Sequence, residues 1–217
     1  MSEATPRQIP ASGPILQLLA GALQLWVRRQ CQAVQSLEIQ LQGSALNLLQ
    51  GRLAGVRLLA RGVTYRDLQL ELVELNSGAL QVQIGHLWRG QPLQLPQAFA
   101  ITGLVSFTPE GLSRSLAQPP WRWLADQLAE DLLGVTPLVA VEIRRGLLVF
   151  KAQGVAQVPP AELETSISAH AGGVRICATR GTIQSLLPMD PAIRVDRAVL
   201  EAGMLVLEGQ AQVTTSG

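Results

Sequence analysis

The chain has 217 residues, a hydrophobic fraction of 47%, a charged fraction of 15% and a formal net charge of +1. This length allows a substantial core in one large domain or two small ones, and the near-neutral charge gives no general affinity for nucleic acid or anionic surfaces. Because the charged fraction lies well below that of a typical soluble domain, we expect part of the surface to meet an apolar partner.

Residues 1–13 contain prolines and polar residues and are predicted to be disordered, and residues 14–217 are predicted to form a single domain. A helix is predicted from Pro14 to Gln35, with apolar residues around most of its circumference. Such a helix must be covered by a sheet or by a membrane surface. Its apolar stretch, 15–27, is shorter than the roughly 20 residues that a membrane span needs. The start of the chain also lacks the features of an export signal. We therefore expect a cytoplasmic protein, with a peripheral membrane location as an option.

Alternating apolar and polar residues then predict a series of strands, each with one covered face. The predicted strands of this half are 36–43, 51–63, 68–75, 79–85 and 96–107. Turns are predicted at Arg66-Asp67 and at Asn76-Ser77-Gly78, because these residue types favour tight turns.

A second helical segment is predicted in the middle of the chain. Thr108 is its expected cap, Pro109 its first residue and Gly134 its end, with an interruption at Pro119-Pro120. More strands are expected after it, with turns between them. These strands lie in a hairpin turning at 144–146 and near 163–169, 174–180, 193–200 and 204–213, with turns at Gly172-Gly173 and Glu201-Ala202-Gly203.

The predicted fold class is therefore α+β. A curved, mostly antiparallel sheet, or more than one, is expected to wrap around the long N-terminal helix, with the second helical segment in the middle of the chain. The order of helix, strands, helices and strands also allows a pseudo-repeat of residues 14–107 and 108–213.

Nothing in the chain matches a catalytic or metal-binding motif. The two histidines, His86 and His170, lie outside any nucleophile elbow, metal-binding pair or phosphate-binding loop. Cys31 and Cys177 are far apart in sequence; we interpret them as reduced thiols, and a single bridge between them stays open. We predict no enzyme activity, no cofactor and no metal.

Several apolar and turn positions resemble the LmeA-like phospholipid-binding family of bacteria. The resemblance rests on Leu49 to Gly51, Val56 to Val63 and Leu70 to Leu75, and then on Thr108, Leu112 and Leu116 of VSFTPEGLSRSL. Ser113 stands where asparagine is usual in the family. The similarity covers roughly residues 14–153. It implies non-catalytic binding of phospholipid or another long-chain lipid in an apolar groove, with a curved sheet around a helix, as in tubular lipid-binding folds.

Two sets of residues are candidates for contact with lipid. The groove is predicted to be lined by Leu68, Leu70, Leu72, Leu80, Val82 and Ile84 of the strands and by Leu18 and Leu25 of the first helix. Contact with a membrane surface is predicted for Trp121, Arg122, Trp123 and Arg114, because tryptophan and arginine suit the headgroup layer. For both sets, packing within the protein is the structural alternative.

A protein-interaction module is the second functional hypothesis. The same apolar groove, or an exposed sheet edge, would then hold a helix or strand of a protein partner in place of a lipid.

Overall fold

The computed structural model describes residues 14–44, 46–47, 50–81, 97–154 and 159–213. In these residues the chain forms an α+β fold with antiparallel sheets, as predicted. The helices are α1 (Pro14–Gln30), α2 (Pro109–Ala117) and α3 (Arg122–Leu133), with a 3₁₀ turn, Pro119–Trp121, between α2 and α3. The strands are β1 (Ala33–Gln42), β2 (Arg52–Leu53), β3 (Gly55–Tyr65), β4 (Leu68–Ser77), β5 (Leu80–Gln81), β6 (Phe99–Phe107), β7 (Leu138–Arg144), β8 (Leu147–Ala152), β9 (Ala161–His170), β10 (Gly173–Ala178), β11 (Gln184–Leu187), β12 (Ile193–Glu201) and β13 (Met204–Val213).

The strands form a six-stranded sheet, a five-stranded sheet and a short pair, β2 with β5. The six-stranded sheet has the order β1-β3-β4-β6-β13-β12, and the five-stranded sheet has the order β11-β10-β9-β8-β7. The last two strands of the chain thus return to the sheet that the first strands build. For this reason the predicted segments 14–107 and 108–213 do not each form a sheet of their own.

Helix α1 covers one half of the six-stranded sheet. Its inner face buries Leu16 and Leu19 in a core with residues of β1, β3 and β4. The helix ends at Gln30, so the predicted end at Gln35 is wrong. Residues from Ala33 onward pair with β3 instead, because the β-sheet ladder satisfies their backbone groups.

In β1, β3 and β4, residues that pack toward α1 alternate with residues that point away from it. This alternation is interrupted at one row of paired residues. Gly62 of β3 has a φ of +56°, and a Cβ there would lie 2.3 Å from Cδ of Gln35, whose side chain covers it. Beyond this irregularity the alternation shifts by one residue. On β4, Leu70 and Val73 both pack in the α1 core, while Leu72 does not belong to it. The predicted row Leu68, Leu70 and Leu72 is therefore interrupted.

Helix α2 joins the two large sheets through two serine side chains. The Oγ of the fully buried Ser115 accepts the N–H of Gln69 in β4 at 2.8 Å. Ser113 accepts the N–H of Val141 in β7 at 2.9 Å and donates to its carbonyl at 3.0 Å. Ser113, where the resemblance leads one to expect asparagine, thus makes a two-way contact with a strand.

The predicted ends of α2 and α3 are confirmed. Thr108 accepts the N–H of Gly111 at 3.0 Å, Pro109 is the first residue of α2, and Gly134 ends α3 with a left-handed φ of +64°. Helix α3 packs its apolar face on the five-stranded sheet. The buried residues of this second core are Ala125, Leu128, Ala129, Leu132, Leu138, Val141, Leu148, Phe150 and Ile176.

Other differences from the sequence prediction concern turns and one short strand. The sequence does not predict strand β11, because its four residues, QSLL, show no clear alternation. The turn before β10 is formed by Ala171 and Gly172, one residue earlier than predicted, and Asn76 and Ser77 belong to β4. Of the predicted strand 79–85, Leu80–Gln81 forms β5, and residues 82–85 lie outside the described part.

Candidate functional site

An apolar groove of about 220 Å³ lies on the face of the six-stranded sheet that also carries the α1 core. Its apolar and glycine lining consists of Leu75, Ile101, Gly103, Val105, Met189, Ile193, Val195, Leu207, Gly209 and Ala211. Leu75 and Val105 also pack in the α1 core, whereas Val195 and Leu207 pack in a third core between β12, β13 and the five-stranded sheet. The groove is therefore a gap between two cores.

Two glycines in register explain why the gap exists. One row of paired residues crosses all six strands: Ile39, Leu58, Leu75, Gly103, Gly209 and Val195. The first three pack in the α1 core and the last packs between the sheets. Because the two middle positions lack side chains, the sheet face is hollow between these two packed regions.

Neighbouring atoms approach both glycines closely. A Cβ on Gly209 would lie 2.1 Å from the carbonyl oxygen of Arg194, where β12 has a bulge between Val195 and Arg197. A Cβ on Gly103 would lie 2.6 Å from Cδ2 of Leu75. The backbone contact requires glycine at position 209. At position 103 the nearest atom is the end of a flexible side chain, and the nearest backbone atom, the carbonyl oxygen of Glu74, is 3.1 Å away.

A wider and more polar cavity adjoins the groove. It has a volume of about 540 Å³ and shares Met189, Ile193 and Arg194 with the groove, and His170 and Asp190 also line it. The Nε of Arg194 lies 2.8 Å from Oδ1 of Asp196, and the Asp190 carboxylate accepts the N–H of Ala192. An apolar groove that continues into a charged opening suits a ligand with an apolar part and a polar part.

The residues predicted to line a lipid site that fall in the described part of the chain lie outside this groove. Leu70 and Leu80 pack in or against the α1 core, and Leu68 and Leu72 are half-buried outside it. On the outer side of α1, Leu18 is 72% and Leu25 is 53% exposed. Val82 and Ile84 lie outside the described residues. Lipid contact by this set stays a prediction.

Sequence reasoning missed the residues that form the groove floor. Gly103 and Gly209 stand inside strands whose neighbours have strong strand character, FAITGLVSF and MLVLEGQAQV. Glycine inside a strand marks a bulge or a close approach to another group. This signal was present in the sequence, but the register that places the two glycines side by side was not.

The four residues predicted to contact a membrane lie on α2, α3 and the turn that joins them. The indole Nε1–H of Trp121 donates to the carbonyl of Arg66 at 2.8 Å, and Trp123 is 54% exposed. Arg122 lies 3.5 Å from Asp126, and Arg114 is exposed. The position of these side chains is compatible with membrane contact, which stays a prediction.

Cys31 and Cys177 are free thiols in the structure, and partial burial raises the pKa of Cys31. Within the described ranges, histidine, cysteine and acidic side chains form no group of three or more that could hold a metal ion. In the same part of the chain, every helix is too short or too polar to cross a membrane.

The chain thus combines an antiparallel α+β fold with an apolar groove beside a charged opening. A family model, LmeA-like phospholipid-binding, matches residues 11–210. The chain therefore belongs to the LmeA-like phospholipid-binding family. The match extends well beyond residue 153, where the resemblance read from the sequence ends, and includes β12 and most of β13. No significant match was found among curated proteins or among solved structures.

Proposed function

We propose that the protein binds a phospholipid with part of an acyl chain in the groove between the two cores and its headgroup at the wider cavity. The observation that carries this proposal is the hollow over Gly103 and Gly209, which leaves the groove apolar and open to solvent. Membership of a phospholipid-binding family supports the class of ligand.

The size of the groove sets the strength of binding that it can provide. One water occupies about 30 Å³ in the liquid, and a methylene group is of similar size, so a volume of about 220 Å³ holds about seven methylene groups. Their complete transfer from water would be worth about 6 kcal/mol, at about 0.8 kcal/mol each, and the open side of the groove lowers this figure. Association costs an estimated 4–15 kcal/mol, so the rest of the lipid must also contact the protein.

The free energy of transfer also favours reversible exchange of the lipid with a bilayer. A chain that leaves the bilayer interior for the groove passes from one apolar environment to another, so the transfer changes the free energy little. Such a protein needs a groove of matching shape more than it needs strong polar contacts. This explains how it can bind phospholipid without a conspicuous sequence motif.

The charged opening provides groups that suit a phosphate. The Arg194 guanidinium has several N–H donors in one plane, which match phosphate oxygens, and His170 lines the same cavity. Because Arg194 is already paired with Asp196, headgroup binding would exchange one ion pair for another. The headgroup therefore contributes orientation more than affinity.

A pair of adjacent substitutions tests the proposal. Ala211→Trp places an indole in the groove, whereas Gln212→Trp places the same group on an exposed neighbour that is not among the groove-lining residues. The measurement is the binding of a phospholipid with a fluorescent acyl chain. We expect Ala211→Trp to weaken binding at least tenfold and Gln212→Trp to leave it unchanged. Equal binding by both variants and the wild type would refute the groove as the acyl site.

A further inference from the structure

The outer face of α1 is apolar and uncovered in the structure. Leu18 is 72%, Leu25 53% and Trp26 55% exposed. Leu18 and Leu25 lie on the side of the helix opposite the buried Leu16 and Leu19, and Trp26 lies at the flank, two turns after Leu19. Isolated exposed apolar residues are common, but a row of them on one helix face indicates contact with another apolar surface. Membrane-surface helices show this pattern, with tryptophan and leucine on the face that enters the lipid.

The charges at the end of α1 are all positive. Arg28 and Arg29 occupy its last turn and are exposed, and the helix contains no acidic residue. Arginine next to an exposed apolar face favours the negatively charged headgroups of a bilayer. A second apolar protein surface would provide no partner for these two charges.

Three hydrogen bonds bring two further exposed segments to this end of the helix. Just after α1, Gln32 bonds both the backbone N–H and the carboxylate of Asp67, at 2.8 and 2.7 Å. The carbonyl of the preceding residue, Arg66, accepts the indole N–H of Trp121 at 2.8 Å. The end of α1, the β3–β4 turn and the start of α3 therefore adjoin one another.

These segments add aromatic and cationic groups to the same end of the molecule. The Arg66 guanidinium lies 5.4 Å from the ring centre of the partly exposed Tyr65. Trp123 is 54% exposed, and Arg122 precedes it. The acidic groups here are Asp67, which is hydrogen-bonded to Gln32, and Asp126, which lies 3.5 Å from Arg122. Arg28, Arg29 and Arg66 therefore leave an excess of positive charge at this end.

We propose that the outer face of α1, together with the β3–β4 turn and the start of α3, docks the protein on an anionic lipid bilayer. The exposed apolar side chains of α1 enter the interface, and Arg28, Arg29 and Arg66 contact lipid phosphates. This docking surface is separate from the acyl groove, so the two can fail independently. It gives Leu18 and Leu25 a role in contact with the bilayer, outside the groove.

The test measures flotation of the full chain with vesicles of phosphatidylcholine alone and of phosphatidylcholine with 30% phosphatidylglycerol. Each arginine near an anionic surface strengthens binding about fivefold, so Arg28→Gln with Arg29→Gln should weaken binding to the anionic vesicles about 30-fold. The control pair, Arg145→Gln with Arg180→Gln, removes the same charge from exposed turns outside the three segments. The control pair should bind at least five times more tightly than Arg28→Gln with Arg29→Gln.

A second pair of variants tests the apolar part of the surface. Leu25→Gln with Trp26→Gln changes exposed side chains, so folding should be retained, and binding to the anionic vesicles should fall at least tenfold. Ala211→Trp should still bind vesicles, which separates failure of this surface from failure of the groove.

Three results would overturn the docking proposal. The first is a wild-type protein that ignores anionic vesicles. The second is an equal loss of binding in the control pair of arginine variants, which would mean that binding depends on the net charge of the protein and not on the position of the arginines. The third is self-association that Leu25→Gln with Trp26→Gln abolishes, without vesicle binding, since this face would then join two copies of the chain.

Discussion

The bond from Ser115 to Gln69 holds α2 against β4 at the point where the six-stranded sheet loses a strand. Strand β4 pairs with β6 from Leu72 onward, so the N–H of Gln69 on that side has no strand partner. Ser115, which is fully buried, accepts this N–H at 2.8 Å and donates to the Gly111 carbonyl at 2.7 Å. Ser115→Ala removes both bonds and leaves the partly buried N–H of Gln69 without a partner.

The cost of that substitution follows from the unpaired donor. A buried N–H left unsatisfied costs about 1–3 kcal/mol. For a chain of this length each kcal/mol lowers the melting temperature by about 2–4 °C, so we expect a fall of about 2–12 °C. Urea denaturation should show the same loss as a lower midpoint with an unchanged slope.

A matched control uses an exposed serine on a strand. The Oγ of Ser166 lies 3.5 Å from the carbonyl of Cys177 and is exposed, so Ser166→Ala should change the free energy of unfolding by less than about 0.5 kcal/mol. If Ser115→Ala is as mild as this control, Ser115 does not hold α2 to the first sheet, and the reasoning about the unpaired donor is wrong.

Further predictions concern a glycine with a left-handed backbone, a glycine in helix α1 and a glutamate with two cationic partners. Gly62→Ala should destabilise the protein by about 1–2 kcal/mol in urea denaturation, because its φ of +56° is left-handed; an unchanged midpoint would contradict this. Gly21→Ala, on the exposed side of α1 with open space around it, should stabilise the protein by up to about 1 kcal/mol, and a loss of stability would mean that the helix face is covered. Hydrogen bonds from Lys151 and then Arg144 hold the pKa of Glu142 below its ordinary value of 4.5. The ion pairs therefore contribute stability above pH 4.5 that is lost as the pH falls through the lowered pKa. Glu142→Gln should melt below the wild type at pH 7, and the difference should shrink in acid; a difference independent of pH would contradict the assignment.

Local patterns in the sequence predict most of the elements. The start of α2 is marked by the Thr108 cap and by Pro109, and the end of α3 by the left-handed Gly134. These signals depend only on residues a few positions apart, so the sequence alone shows them. The alternation of Leu37, Ile39 and Leu41 in β1 also predicts their burial.

The facing of β4 and the end of α1 depend on contacts between distant residues. The change of face at Gly62 involves the Gln35 side chain, which comes from another strand. Helix α1 ends at Gln30 because the residues after it pair with β3, a competition that helix propensity alone does not show. The leucine row of β4 therefore looks continuous in the sequence although the fold interrupts it.

The groove is the least predictable part of the molecule. Its floor depends on the pairing of Gly103 with Gly209, residues more than a hundred positions apart in the chain. Apolar strands look alike in the sequence whether a helix covers them or leaves them open. The lipid site is predicted on β4, residues 80–84 and α1 itself, whereas α1 packs on β1, β3 and β4 and the hollow lies over β6 and β13.

Photo-crosslinking maps the acyl site most directly. The protein is loaded with a phospholipid that carries a diazirine in its acyl chain, irradiated and digested, and the labelled peptides are identified by mass spectrometry. The account predicts labels in residues 99–107 and 193–213, which carry β6, β12 and β13, and loss of these labels in Ala211→Trp. Labels confined to residues 68–72 and 80–84, or labels that persist unchanged in Ala211→Trp, would contradict it.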